Sequence, residues 1–131
     1  MTYRFEFDPE NKILLTRYEG RLTEEVAEES GAVFRKYWAA TAPSMTIVDL
    51  SSVTEFSVSS EFVRRVAGQV LIVDATGSPV AIVAPVPAAF GLGRMFQIMG
   101  ESKRPLLHVV HTMEEAFAAL GVQSPHFKPL E

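Results

Sequence analysis

The sequence contains no cysteine, which excludes disulfides, thiolate catalysis and thiolate zinc sites. It also has no excess of basic residues, since 12 lysines and arginines stand against 16 aspartates and glutamates, for a formal net charge of -4. Proteins that bind nucleic acids or anionic membranes need a dense basic face, so this composition argues against both partners. Long apolar runs are missing too, and the first 12 residues lack the apolar core of a signal peptide. We therefore expect a cytoplasmic protein with no transmembrane segment.

What is present is the composition of an ordinary globular protein. The 131 residues are 47% hydrophobic and 21% charged, and they suffice for a hydrophobic core without covalent staples. No internal repeat or low-complexity linker divides the chain. We expect one domain over 1–121, followed by a loosely ordered C-terminal tail over 122–131.

Hydrophobic periodicity predicts strands that alternate with helices. Residues 3–7 alternate aromatic and polar side chains, and the turn residues at 8–11 return the chain along 13–18, so these two strands pair antiparallel. Residues 45–50 form a continuous apolar run typical of a strand buried on both faces. The order β-β-α-β-α-β-α-β-α predicts an α/β fold with a single mostly parallel sheet, an antiparallel first strand and helices covering the sheet. The remaining strands are predicted at 80–84 and 106–110, and the helices at 24–40, 61–71, 88–100 and 113–120.

Local signals mark the ends of the predicted helices. Thr23 is a candidate N-cap of the first helix, and Thr112 with Glu115 forms a capping-box pair at the start of the last one. Gly121 is a candidate stop for that helix. The second helix has a less distinct end because several β-branched residues follow it, and we place this end at about Leu71.

Several short motifs accompany this order of elements: EGRLT at 19–23, VDLSSVTEF at 48–56, VAIVAP at 80–85, FGLGRMFQ at 90–97 and EEAFAAL at 114–120. With them the chain resembles the STAS domain, named for sulfate transporters and anti-sigma-factor antagonists, from Tyr3 to about Leu120. The motifs are similar to those of a bacterial STAS-like subgroup for which kinship with CRAL-TRIO lipid-transfer domains is proposed. The resemblance implies a regulatory module that binds a protein partner and is not an enzyme.

The resemblance also assigns a role to the serines before the second helix. In the anti-sigma-factor antagonists, a serine at this helix start is phosphorylated within an Asp-Ser-Ser-Gly-like motif. The matching stretch here is Val58-Ser59-Ser60-Glu61, so Ser59 takes the acceptor position, with Ser57 and Ser60 as neighbouring candidates. Valine and glutamate replace the aspartate and the glycine of that motif.

The residues themselves leave two interpretations of these serines open. A serine at this position caps the helix by accepting a hydrogen bond from an otherwise unpaired amide. A phosphate on it would also lie at a helix N-terminus, where backbone amides and the helix dipole favour an anion.

A candidate anion or ligand site follows from the predicted topology. Ligands of open α/β sheets bind beyond the carboxyl ends of the strands. Asp49 is predicted to end the third strand there, although it can instead stabilise the following loop by accepting backbone hydrogen bonds. The candidate residues of this site are Asp49, Arg64, Arg65, Gly91, Gly93 and Arg94.

The predicted third helix carries more apolar surface than a helix that only covers a sheet. Such a helix needs an apolar stripe of roughly 100°, and this one exceeds it. A larger core, a second subunit, an apolar ligand or a mobile lid would account for the excess, and we expect a homodimer. The alternative is a carrier or sensor of a small lipid-like or anionic ligand, bound between the second and third helices. The residues of this apolar pocket or dimer surface are Phe56, Phe62, Phe90, Leu92, Met95, Phe96 and Met99.

No pattern in the sequence indicates catalysis. No serine lies in a nucleophile elbow, and no pair of carboxylates has a spacing suited to acid-base chemistry. His108 and His111 have an odd spacing along one strand, which directs them to opposite faces and prevents a shared metal. We therefore expect no catalytic residue, no metal and no cofactor.

Overall fold

The computed structural model describes residues 2–130 and contains six strands, four α-helices and one 3₁₀ helix. The strands are β1 (Tyr3–Asp8), β2 (Ile13–Thr23), β3 (Met45–Ser57), β4 (Val80–Val83), β5 (Leu107–Val110) and β6 (Lys128–Leu130). The helices are α1 (Glu24–Thr41), α2 (Ser60–Gly68), α3 (Pro87–Met99) and α4 (Met113–Leu120), and the 3₁₀ helix is Ile72–Ala75.

All six strands form one sheet in the order β5-β4-β3-β2-β1-β6. The four strands from β2 to β5 are parallel, and β1 is antiparallel to β2. The predicted α/β fold with a mostly parallel sheet and an antiparallel first strand is therefore confirmed. Lys128–Leu130, in the segment predicted to be a loosely ordered tail, pairs antiparallel with β1 and forms β6.

Strands β2 and β3 are much longer than the sequence predicted. Their parallel pairing continues from Glu19↔Ser52 to Thr23↔Ser57, with register shifts on the way. The serine-rich segment after Asp49 is thus strand rather than loop. Its apolar residues Leu50, Val53 and Phe56 recur at every third position instead of alternating, and the register shifts against β2 fall in this irregular part of the strand.

The second helix ends earlier than predicted, at Gly68 instead of Leu71. Arg104 accounts for this end, because its guanidinium donates hydrogen bonds to the carbonyls of Ala67 (3.1 Å) and Gln69 (2.9 Å). Carbonyls at a helix C-terminus have no partner within the helix, and a buried cation satisfies them well. The chain then continues into the 3₁₀ helix rather than into a further α-helical turn.

The predicted helix caps are confirmed. Thr23 Oγ1 accepts a hydrogen bond from Val26 N at 3.1 Å. Thr112 and Glu115 form the reciprocal capping box of α4. Gly121 follows α4 with φ of 69°, the left-handed conformation that favours glycine.

The sheet is covered on both faces, and successive strand residues point to opposite faces. The face that we call the cavity face carries Val48, Val80 and Ile82, and α1 and α3 lie over it. The other, which we call the α4 face, carries Ile13 and Ile47 under α4 and the C-terminal tail. Every candidate ligand or partner residue on α2 and α3 therefore lies on the side of the cavity face.

Candidate functional site

Ser59 is exposed and caps α2. Its Oγ accepts a hydrogen bond from Phe62 N at 3.1 Å, as the capping interpretation predicted. Its own backbone amide donates to Glu24 Oε2 at 2.9 Å, which joins the start of α2 to the start of α1. Hydrogen bonds from Ser59 lower the pKa of Glu24 below its ordinary value of 4.5, and the bond from the Ser59 backbone amide contributes most.

The two neighbouring serines lie in different surroundings. Ser57, at the end of β3, donates to Glu55 Oε2 at 3.1 Å and accepts from Arg21 Nε at 3.2 Å. Arg21 and Glu55 also form an ion pair at 2.8 Å, so Ser57 belongs to a surface polar network. Ser60 is the exposed first residue of α2.

The arginines of α2 do not contact Ser59 directly. Arg65 lies 3.7 Å from Glu28 of α1 and stacks over the Phe62 ring at 5.1 Å. Arg64 is exposed. An anion at Ser59 would therefore meet Glu24 first and would have to recruit Arg65 from its pairing with Glu28.

Asp49 lies on the opposite side of the sheet from these arginines. It is an interior residue of β3 and 5% exposed, and its neighbour Ile47 packs in the core of the α4 face. Arg17 Nη1 donates to Asp49 Oδ2 at 2.7 Å, and Ser51 N donates to Asp49 Oδ1 at 2.9 Å. The structure thus separates Asp49 from Arg64, Arg65 and Arg94, because β3 continues past it and alternation sends it to the α4 face.

Two glycines of α3 have different surroundings. A side chain added at Gly91 would meet nothing within 4 Å, whereas one at Gly93 would lie 3.0 Å from Val109 Cγ1. The close approach at Gly93 is thus to the sheet of the protein itself. Arg94 donates to Gln97, whose Nε2 donates to the Leu107 carbonyl at 2.8 Å.

A cleft of about 250 Å³ lies between α2, α3 and the sheet, and it is lined almost entirely by apolar side chains. It brings together Phe56, Phe62, Leu92 and Phe96, four of the predicted pocket residues. The other three do not line it. Phe90 stacks on His111 at 4.2 Å between ring centroids. Met95 is on α3 but does not line the cleft, and the side chain of Met99 is 41% exposed.

A larger cavity, of about 360 Å³, lies between α1 and the segment from α2 to the 3₁₀ helix. No sequence pattern predicted this cavity, because it arises where elements distant in the chain fail to touch. Its buried floor includes Thr16 and Thr46, which are 3% and 2% exposed. The signal in the sequence was one threonine on each of two apolar strands.

Arg104 also lines this cavity, and no sequence pattern predicted its role. It is 6% exposed, its Nε lies 3.2 Å from Asp74 Oδ1, and its guanidinium covers the Phe96 ring at 4.8 Å. Within residues 2–130, neither Nε nor Nη1 of this arginine has a partner in hydrogen-bond geometry. Burial lowers the pKa of Arg104, and the Asp74 carboxylate opposes that shift.

Two further kinds of site are absent from the described residues. None of the helices in this part of the chain has the length and hydropathy needed to cross a membrane. Across the same residues, no three metal-binding side chains come together.

No protein-family model matches the sequence, and no curated protein matches it significantly. The structure is similar to that of the anti-sigma factor antagonist SpoIIAA in its unphosphorylated form. The TM-score is 0.64 at 16% identity, over 93% of this chain and 99% of that chain. It is also similar to the Bacillus cell fate determinant SpoIIAA in the phosphorylated form, with a TM-score of 0.59 at 22% identity, over 88% and 96% of the two chains. This likeness confirms the resemblance at the level of the fold: the protein has the STAS fold found in SpoIIAA.

Proposed function

We propose that the protein is a non-enzymatic regulatory module that binds a protein partner, with Ser59 as a phosphorylation switch. The observation that carries the proposal is the position of Ser59, an exposed serine at the N-cap of α2 whose amide holds Glu24 of α1. The fold supports it, because SpoIIAA has been solved in both an unphosphorylated and a phosphorylated form.

A phosphate on Ser59 would change the contact between α1 and α2. It adds a charge of about -1.5 to -2 at neutral pH and competes for the backbone amides of the first helical turn. Glu24 already accepts a hydrogen bond from the Ser59 amide. Repulsion between the phosphate and this carboxylate breaks that contact, so the partner surface at the start of the two helices changes on phosphorylation.

The test uses the tagged protein isolated from the cells that produce it. Native mass spectrometry of the wild type, Ser59→Ala and Ser60→Ala detects both a bound phosphate and any co-purified partner in one experiment. We expect a phosphate on the wild type and on Ser60→Ala but not on Ser59→Ala, and a partner that Ser59→Asp releases. A wild type without phosphate, together with partner binding that Ser59→Asp leaves unchanged, would refute the switch.

A homodimer is a further part of the proposal. The α3 surface and the loop after it expose large apolar side chains, with Ile98 at 61%, Met99 at 41% and Leu106 at 47%. Exposed apolar side chains grouped together are typical of surfaces that another protein covers. Sedimentation velocity of the wild type against Ile98→Glu tests this, and an unchanged monomeric mass for both proteins would contradict it.

The second candidate function is a carrier or sensor of a small ligand. The observation that favours it is the apolar cleft between α2 and α3, which side chains do not fill. In this function the cytoplasmic protein would hold an apolar molecule rather than, or in addition to, a protein partner.

A further inference from the structure

We propose that the cavity between α1 and α2 binds an uncharged, predominantly apolar molecule with one hydroxyl group, and that Thr16 and Thr46 bind this hydroxyl. The inference rests on the second candidate function and gives it a ligand class and a location. It concerns the larger cavity, which is distinct from the predicted cleft between α2 and α3.

The cavity exists because the helices leave the centre of the sheet partly uncovered. Helix α1 packs on β1 and β2, whereas α2 packs on α3 rather than on the strands. The gap lies over the central strands, where the floor carries the small side chains of Thr16, Thr46 and Val48. Gly31 faces the gap from α1, and a side chain added there would meet nothing within 4 Å. The volume of about 360 Å³ lies within the range of roughly 300–1,000 Å³ typical of ligand sites.

Two threonine hydroxyls form a polar spot on the floor of the cavity. Thr46 lies on β3 two residues before Val48, and Val48 is opposite Thr16 of β2 in the strand register. The two threonines are therefore diagonal neighbours on one face of the sheet, close enough for one ligand atom to reach both hydroxyls. Within residues 2–130, neither hydroxyl has a hydrogen-bond partner, although both residues are almost fully buried against the cavity. Because unpaired buried polar groups cost free energy, a ligand hydroxyl, which both donates and accepts, is favoured at this spot.

The charged residues of the lining favour an uncharged ligand. Arg104 is engaged within the protein, since its Nη2 donates to the carbonyls of Ala67 and Gln69. Its Nε lies 3.2 Å from the buried carboxylate of Asp74. Arg35, the other charged residue of the lining within residues 2–130, is exposed. An anion in the interior of the cavity would lose its hydration without gaining a counter-charge, and this cost does not apply to a neutral molecule.

The walls of the cavity suit an apolar chain or ring. They are predominantly apolar and include Phe34, Val73 and Leu107. Apolar surface that leaves water on binding contributes affinity roughly in proportion to its area. The walls therefore supply most of the affinity, and the threonine hydroxyls fix the orientation of the ligand.

The first experiment compares decan-1-ol with decanoate by calorimetric titration at neutral pH, with both probes below their aggregation limits. The two probes have the same chain length, and only the acid carries a charge. We expect the wild type to bind the alcohol at least about tenfold more tightly than the acid, because the interior offers no counter-charge. Equal affinity, or a preference for decanoate, would refute the uncharged ligand class while leaving the carrier function in place. No binding of either probe would refute both.

The second experiment removes the threonine hydroxyls and keeps the shape of the side chains. The test variant combines Thr16→Val with Thr46→Val, and the control Thr54→Val makes the same change at an exposed position of β3 outside the cavity lining. We expect the double variant to weaken decan-1-ol binding about tenfold, and Thr54→Val to leave it unchanged. The double variant should resist urea at least as well as the wild type, because it removes unpaired buried hydroxyls. Wild-type affinity in the double variant would refute the role of the two threonines.

The third experiment fills the cavity without removing an existing contact. Gly31→Leu places a side chain in the open space beside α1, and the control Ala32→Leu adds the same bulk at the exposed neighbouring position. We expect Gly31→Leu to weaken decan-1-ol binding at least about tenfold and Ala32→Leu to leave it unchanged. Wild-type affinity in Gly31→Leu would refute the location of the ligand in this cavity. This pair of variants decides the location even if the double threonine variant does not fold.

Discussion

The backbone amide of Ser59 donates a 2.9 Å hydrogen bond to the Glu24 carboxylate. This contact joins two helix starts that are 35 positions apart in the sequence. It places a carboxylate at the N-terminus of α2, where a helix favours negative charge. The same amide group is available to a phosphate, so the contact defines what phosphorylation of Ser59 would displace.

Removing the Ser59 hydroxyl should destabilise the fold. In Ser59→Ala the Phe62 amide loses its capping partner, and loss of a serine N-cap typically costs about 1 kcal/mol of the free energy of unfolding. Urea denaturation measures this difference. Ser60→Ala serves as the control, because Ser60 is exposed and lies inside the first turn of α2. Equal stability losses in the two variants would contradict the assigned cap.

Asp8 should make part of the stability dependent on pH. Burial raises the pKa of Asp8, but hydrogen bonds from Asn11 and Glu10 outweigh it and lower the pKa below 3.8 overall. Because the folded-state pKa is lower than the unfolded one, this stabilisation is present above about pH 4 and is lost as the pH falls through the folded value. Urea midpoints between pH 7 and pH 2 should therefore fall less steeply in Asp8→Asn, which starts from a lower stability at pH 7.

The exposed Glu10 provides the control for this pH series. Glu10 contributes its backbone amide to Asp8 at 3.0 Å, and Glu10→Gln keeps that amide. The variant should retain the acid-dependent loss of the wild type. An identical pH profile for wild type and Asp8→Asn would show that other groups cause the loss.

Alanine substitution at the two glycines of α3 should change the stability of the protein in opposite directions. In Gly93→Ala the new Cβ lies 3.0 Å from Val109 Cγ1, so Val109 or α3 must shift slightly, and overpacking of this kind costs about 1–3 kcal/mol. Gly91→Ala meets open space and should gain up to about 1 kcal/mol from helix propensity. Thermal denaturation compares the two variants. Equal melting temperatures would disprove the close approach at Gly93, and Val109→Ala should rescue Gly93→Ala if that approach is real.

The buried position of the Arg104 guanidinium should require a residue without a side chain at position 100. A Cβ at position 100 would lie 1.9 Å from Arg104 Nη1, although the backbone of Gly100 suits any residue. Gly100→Ala therefore displaces Arg104 from the carbonyls of Ala67 and Gln69, at a cost of about 1–3 kcal/mol for buried charged hydrogen bonds. Denaturant unfolding of Gly100→Ala, Arg104→Met and the double variant tests the coupling. Strictly additive losses would contradict it, because both changes should disrupt the same contacts.

Local chemistry by itself determined much of this fold. The caps at Thr23 and Thr112 and the stop at Gly121 involve groups within a few residues of one another, so the sequence predicted them. Periodicity likewise predicted the strand and helix order, because each segment must bury one side whatever its partners are. The position of Ser59 at a helix start was predictable for the same reason, although its contact with Glu24 was not.

Tertiary structure decided the features that depend on distant partners. Strand β3 runs to Ser57 because β2 extends beside it, and Asp49 turns away from the candidate site because this strand continues past it. Arg104 ends α2 from 37 positions away. The cavity depends on where α1 and α2 lie on the sheet, and no local pattern encodes a space between two helices. Sequence determined the type and order of the elements from β1 to α4, whereas packing decided where several of them end and which surfaces remain open for a ligand or a partner.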